Sequence, residues 1–140
     1  MRALRLTIVA VLVSVAGAAD ARNDRLTLPI SEALAAGKDR LDPGVKLYFG
    51  NPGPGGTQLG RFTANRKTNA SGKSDKQSCE WAFLSSVIAL QERARKEGGN
   101  AVVGIVSIYK KQETSSATQY VCAAGNVVTG VAFRGTVVRL

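Results

Sequence analysis

The chain has 140 residues, two cysteines and no histidine, with 19 Lys and Arg against 10 Asp and Glu for a formal net charge of +9. The missing imidazole excludes Ser-His-Asp and Cys-His nucleophile systems and histidine-bearing zinc sites. The positive excess favours acidic partners: anionic lipid, anionic envelope polymer or nucleic acid.

Residues 1–19 have the pattern of a secretory signal peptide. Arg2 and Arg5 supply a positive start, residues 6–15 form an apolar run too short to span a bilayer, and Ala16, Gly17, Ala18 and Ala19 suit cleavage before Asp20. No cysteine follows that run to carry a lipid, and nothing later is apolar for long enough to cross a membrane. Without Arg2 and Arg5 the basic residues number 17 against 10 acids, a net charge of +7. The expectation is an exported protein, periplasmic or secreted. Export argues against nucleic acid and ATP as partners.

Residues 20–44 read as a lead-in to a single domain at 45–140. Leu26, Leu28 and Ile30 alternate, residues 31–37 suit one short helix capped by Ser31, and Asp42-Pro43-Gly44 signals a turn. Residues 45–49 alternate as a first strand. The Gly- and Pro-rich stretch 50–56 is a loop, and 59–66 a second strand in a hairpin with the first. Residues 67–77 are polar and basic, an exposed connection. Between positions 61 and 78, Arg61, Arg66, Lys67, Lys73 and Lys76 stand against the single acid Asp75.

The best-defined element is a helix entered near Ser78. Cys79, Phe83, Val87, Leu90 and Ala94 repeat at helical spacing, with Leu84 and Ile88 widening the stripe. Ser74, Asp75 or Ser78 caps it, Ser74 and Gln77 having the spacing of a capping box, and Gly98-Gly99 stops it. Residues 101–111 are a continuous apolar, β-branched run expected as a central strand. A polar turn at 112–117, a strand at 118–124, a Gly125-Asn126 turn and a last strand at 127–140 complete the chain, with Gly130 and Gly135 read as bulges or bends. The predicted fold class is α+β: one amphipathic helix on a mostly antiparallel sheet of about five strands.

The acids are scattered rather than paired, which predicts a protein that is not an enzyme and that carries no cofactor and no metal. Gly72-Lys73-Ser74 mimics the end of a phosphate-binding loop, but Lys67 stands where the pattern needs glycine; after the Gly55 to Gly60 spacing, Arg61-Phe62 replaces Lys-Ser/Thr. Cys79 and Cys122, an even pair in an exported domain, predict one disulfide tying the helix start to the penultimate strand. A thiol-dependent metal or redox role is the alternative, with a spacing unlike Cys-x-x-Cys and an incomplete ligand set. Trp81 falls on the flank of the helix, either packed under the basic segment or, beside Lys73 and Lys76, anchoring a partner.

The run Ala94-Arg95-Lys96-Glu97-Gly98-Gly99-Asn100-Ala101-Val102-Val103-Gly104-Ile105 resembles the RcsF/YbjQ-like family, in which a helix ends in Gly and Asn/Asp-Ala-Val enters the central strand. The resemblance implies that family's α+β fold and a role in envelope sensing, and Cys79 and Cys122 are similar to one bridge of its disulfide-bearing envelope-stress sensor. The lipid-attachment cysteine, proline-rich tether and second cysteine pair of that sensor are missing. Similar small exported proteobacterial proteins carry the name "excinuclease ATPase subunit", for which this chain has neither the phosphate loop nor the zinc-finger cysteines. The expected function is a non-catalytic binding or envelope-sensor-type module with an envelope protein as partner; the alternative is a binder of anionic envelope polymer or lipid through residues 61–78.

Overall fold

The structure is a computed structural model that describes residues 22–140; the expected signal peptide lies outside the described residues. Its elements are β1 (Asp24–Pro29), α1 (Ile30–Ala36), β2 (Lys46–Phe49), β3 (Thr57–Asn69), α2 (Asp75–Glu97), β4 (Ala101–Tyr109), β5 (Gln112–Thr114), β6 (Gln119–Ala124) and β7 (Val128–Arg139), with a single 3-10 turn at Lys38–Arg40. The class is α+β, with two helices on a mixed sheet of seven strands rather than one helix on about five.

α2 forms where its spacing predicts and is closed at both ends. The Ser74 hydroxyl accepts the Gln77 amide at 3.1 Å, so Ser74 is the cap among the three candidates. At the far end Gly98 takes a left-handed φ of 79°, which an L side chain resists, and the Gly99 amide reaches back to the Ala94 carbonyl at 2.8 Å. Cys79, Phe83, Val87, Leu90 and Ala94 are all buried against the sheet. Phe83 centres an aromatic cluster, with ring centroids 4.6 Å from Tyr120, 5.4 Å from Phe133 and 5.8 Å from Phe49.

β7 is the spine of the sheet. β3 pairs with it antiparallel along its whole length, from Thr57 opposite Arg139 to Asn69 opposite Val128. On its other edge β4 occupies one half, up to Ile108 opposite Ala132, and β6 meets it at Ala123 opposite Gly130. Val131 lies at the fork where these two neighbours diverge. Its carbonyl accepts the buried Ser86 hydroxyl from α2 at 2.5 Å, and across the gap Ser107 Oγ accepts the Val121 amide at 3.0 Å. Two buried serines thus satisfy backbone groups that the ladder leaves without a partner.

The expected hairpin between residues 45–49 and 59–66 does not form: β2 pairs in parallel with β4, and β3 with β7. The loop between them explains the separation. Gly50 donates to the Ile105 carbonyl at 2.9 Å and the Asn51 carbonyl accepts the Gly104 amide at 2.7 Å, locking the loop onto a bulge in β4 where Gly104 has a φ of 58°. The chain is then carried away from β2 before β3 begins. Of the bulges or bends expected at Gly130 and Gly135, the bulges do not form, because β7 keeps one register with β3 through both. Gly135 answers a packing demand: a Cβ there would stand 2.6 Å from Val102 Cγ1.

Other departures are smaller. β3 runs to Asn69, beyond the expected end at 66, and the polar stretch 112–117 contains β5. Residues 24–36 belong to the fold proper, since β1 pairs with β6 and Ile30 and Ala33 are core residues. α1 starts at Ile30 behind Pro29, with no side-chain cap from Ser31. Among the described residues no helix is long and apolar enough to cross a membrane.

Candidate functional site

Cys79 and Cys122 place their sulfurs 2.05 Å apart, and both residues are fully buried. The bridge joins the first turns of α2 to β6, as the cysteine count predicts. Both sulfurs are bonded to each other, so neither thiol is available to a metal. Among the described residues no three Cys, Asp or Glu side chains gather into a possible metal-holding group.

The basic segment 61–78 is divided between β3, which runs to Asn69, a short connection and the first turn of α2, so the expected exposed connection at 67–77 is shorter than predicted. Strand alternation divides its first three cations between the two faces of the sheet. Arg61 lies on the face opposite α2 and binds Glu113 at 3.0 Å, while Arg134 binds the same carboxylate at 2.6 Å. The hydrogen bond from Arg134, reinforced by Arg61, holds Glu113 below the usual carboxylate range. Arg66 lies on the α2 face, in a hollow of about 180 Å³ with Phe62, Ala64 and Arg93. Lys67 returns to the opposite face and lines a cavity of about 320 Å³ whose wall includes Arg22, Asn65 and Lys110 but no carboxylate. Arg22 is tied to Asp75 at 2.5 Å and Asp24 at 2.6 Å, which raises its pKa further, Asp75 contributing most.

Lys73 and Trp81 do come together at the start of α2, while Lys76 turns to Glu80 and Glu32. β3 ends at Asn69, whose side chain accepts the Ser71 amide at 2.9 Å and turns the chain toward the helix. Lys73 Nζ donates to the Asn69 carbonyl at 2.6 Å and stands 5.9 Å from the centre of the Trp81 ring. Arg40 lies 5.3 Å from the same ring, within cation–π reach. Trp81 remains 46% exposed, and beside it opens a hollow of about 250 Å³ lined by Ala36, Arg40, Gln77, Glu80 and Leu84. Lys76 sits 3.5 Å from Glu80 and 3.7 Å from Glu32. The helix start also presents backbone N–H groups and the positive end of its dipole. The arrangement is an aromatic platform edged by cations, suited to a planar or ring-bearing anion. Sequence reasoning missed Arg40, because only the tertiary fold carries the turn at Lys38–Arg40 against α2.

Comparison of the chain with protein-family models, with curated proteins and with solved structures returned no match.

Proposed function

We propose that the protein is an exported, non-catalytic binding module that captures an anionic envelope polymer or lipid on the surface around Trp81. The observation that carries this reading is the half-exposed Trp81 ring held between Arg40 and Lys73. A large aromatic left in solvent beside two cations has lost little of its capacity to bury area on a partner, and cations at its edge select for negative charge. Five of the nine described acids, in contrast, pair with guanidinium groups: Asp24 and Asp75 with Arg22, Asp42 with Arg95, Glu97 with Arg93 and Glu113 with Arg61 and Arg134. A carboxylate already paired with a guanidinium is a poor general base, which supports binding over catalysis.

The RcsF/YbjQ-like kinship belongs to the same proposal. It is supported by α2 ending at Gly98, by Asn100 and Ala101 leading into β4, and by the bridge from the helix start to β6. A buried disulfide accords with an oxidising compartment.

Co-sedimentation with lipopolysaccharide tests the reading. The protein should pellet at low salt and be released near 0.5 M NaCl, where the Debye length shrinks to roughly 4 Å. Lys73→Glu with Lys76→Glu should abolish pelleting, whereas Lys67→Glu, on the other side of the sheet, should leave it nearly intact. Equal pelleting of the double variant and the parent would reject the site.

A further inference from the structure

The sheet face opposite α2 holds a second cavity, separate from the Trp81 surface. Its floor is small and apolar, with Val121, Ala123 and Gly130, and its walls bring Asn65, Lys67 and Lys110 around a volume of about 320 Å³. Among the described residues neither Lys67 nor Lys110 takes part in an ion pair, although eight such pairs are formed elsewhere. Two lysines without a carboxylate partner therefore line one cavity that has no carboxylate in its lining, with Lys110 Nζ 5.4 Å from the centre of the Tyr109 ring, another lining residue.

Lys110 reaches that cavity from a strained position. Tyr109 pairs with Gln112 across the β4–β5 hairpin, so Lys110 and Lys111 are its two turn residues, with φ values of 49° and 65°. A two-residue turn with both φ values positive ordinarily takes Asn-Gly, because a Cβ in the left-handed region is strained. Two consecutive lysines are an adverse choice for the turn itself. The strained backbone stands beside the cavity and places a cation there, the kind of site at which such strain is found.

We propose that this cavity binds a soluble sugar phosphate of monosaccharide size. Lys67 and Lys110 hold the phosphate dianion, the small apolar floor takes the C–H face of the sugar ring, and the Asn65 amide offers a donor and an acceptor to its hydroxyls. The volume of about 320 Å³ lies at the small end of the range of small-molecule sites, in keeping with a single phosphorylated sugar.

Isothermal titration calorimetry with glucose 1-phosphate, glucose and inorganic phosphate tests the assignment. Glucose 1-phosphate should bind at least tenfold more tightly than either fragment. Gly130→Val should weaken it at least tenfold by filling the floor. The first added carbon is accommodated, since a Cβ at Gly130 meets nothing closer than Lys67 Cγ at 3.5 Å. Lys110→Asn with Lys111→Gly should relax the turn, raise the melting temperature and still weaken binding at least tenfold, an opposite movement that a purely structural role does not produce. Trp81→Ala should leave sugar phosphate binding unchanged, so failure here and failure at the Trp81 surface are separate results. The proposal is overturned if glucose 1-phosphate binds no better than glucose or phosphate, or if the turn variant binds it as the parent does.

Discussion

Removing one oxygen atom from the core should make this protein more stable. Tyr120 is 0% exposed, packed on Phe83 and Phe133, and its hydroxyl is a buried side-chain atom with no hydrogen-bond partner among the described residues. Burial raises its pKa, with the Glu80 and Glu32 carboxylates adding to the shift, so the group is a neutral phenol at every ordinary pH. An unsatisfied buried donor costs about 1–3 kcal/mol of desolvation, and Tyr120→Phe removes that cost while keeping every ring contact. The expected gain is about 1–2 kcal/mol, which for a domain of this size raises the melting temperature by about 3–8 °C. Urea unfolding should show a higher midpoint at an unchanged slope, because the surface exposed on unfolding is the same. A loss of 1 kcal/mol or more would refute the reasoning and mean that the hydroxyl has a bonded partner in solution.

Three further outcomes follow from the same geometry. Replacing Cys79 or Cys122 by serine should cost about 4 kcal/mol in the chain-entropy account for residues 43 apart, read as a lower melting temperature without reductant and no further fall with it. Gln91→Ala should cost about 2 kcal/mol: the buried amide accepts the Asp42 N–H at 3.0 Å and donates to the Asp42 and Val45 carbonyls, also at 3.0 Å, and of these three groups only the Asp42 carbonyl keeps a second partner, the Val45 amide at 3.2 Å. The Arg95 guanidinium, helped by the Gly44 amide, holds the Asp42 carboxyl down at about 2 against an ordinary 3.8. Since the folded value is the lower one, its contribution is complete above pH 4 and lost as pH falls toward 2. Asp42→Asn should therefore be less stable than the parent at neutral pH, with the gap closing across that acid window.

α2 and β4 were legible because each is written in a local pattern, apolar spacing with caps in one and an uninterrupted β-branched run in the other. The disulfide was legible from counting. The pairing of β2 with β4 was not, because adjacency in sequence favours a hairpin and only the tertiary bonds from Gly50 and to Asn51 divert the chain. Gly135 misled for a related reason: a glycine demanded by the approach of Val102 looks, in sequence, like one demanded by a bulge. At the candidate site, Lys73 and Trp81 stand within nine residues of each other, near enough in sequence to be found together. Arg40 and Lys110 come from distant turns, and no local signal marks either as facing a hollow. Ending the strand at 66 and reading 67–77 as a connection also hid that Arg66 and Lys67 are neighbours on one strand and face opposite sides of the sheet.

The most direct test of the binding surface uses a probe already in place, since Trp81 is the only tryptophan in the chain. Titration with lipopolysaccharide at low salt should shift Trp81 emission to shorter wavelength as the half-exposed ring is covered, saturably, and 0.5 M NaCl should reverse the shift. Binding seen by sedimentation with Trp81 emission unchanged would place the ligand elsewhere and contradict the account.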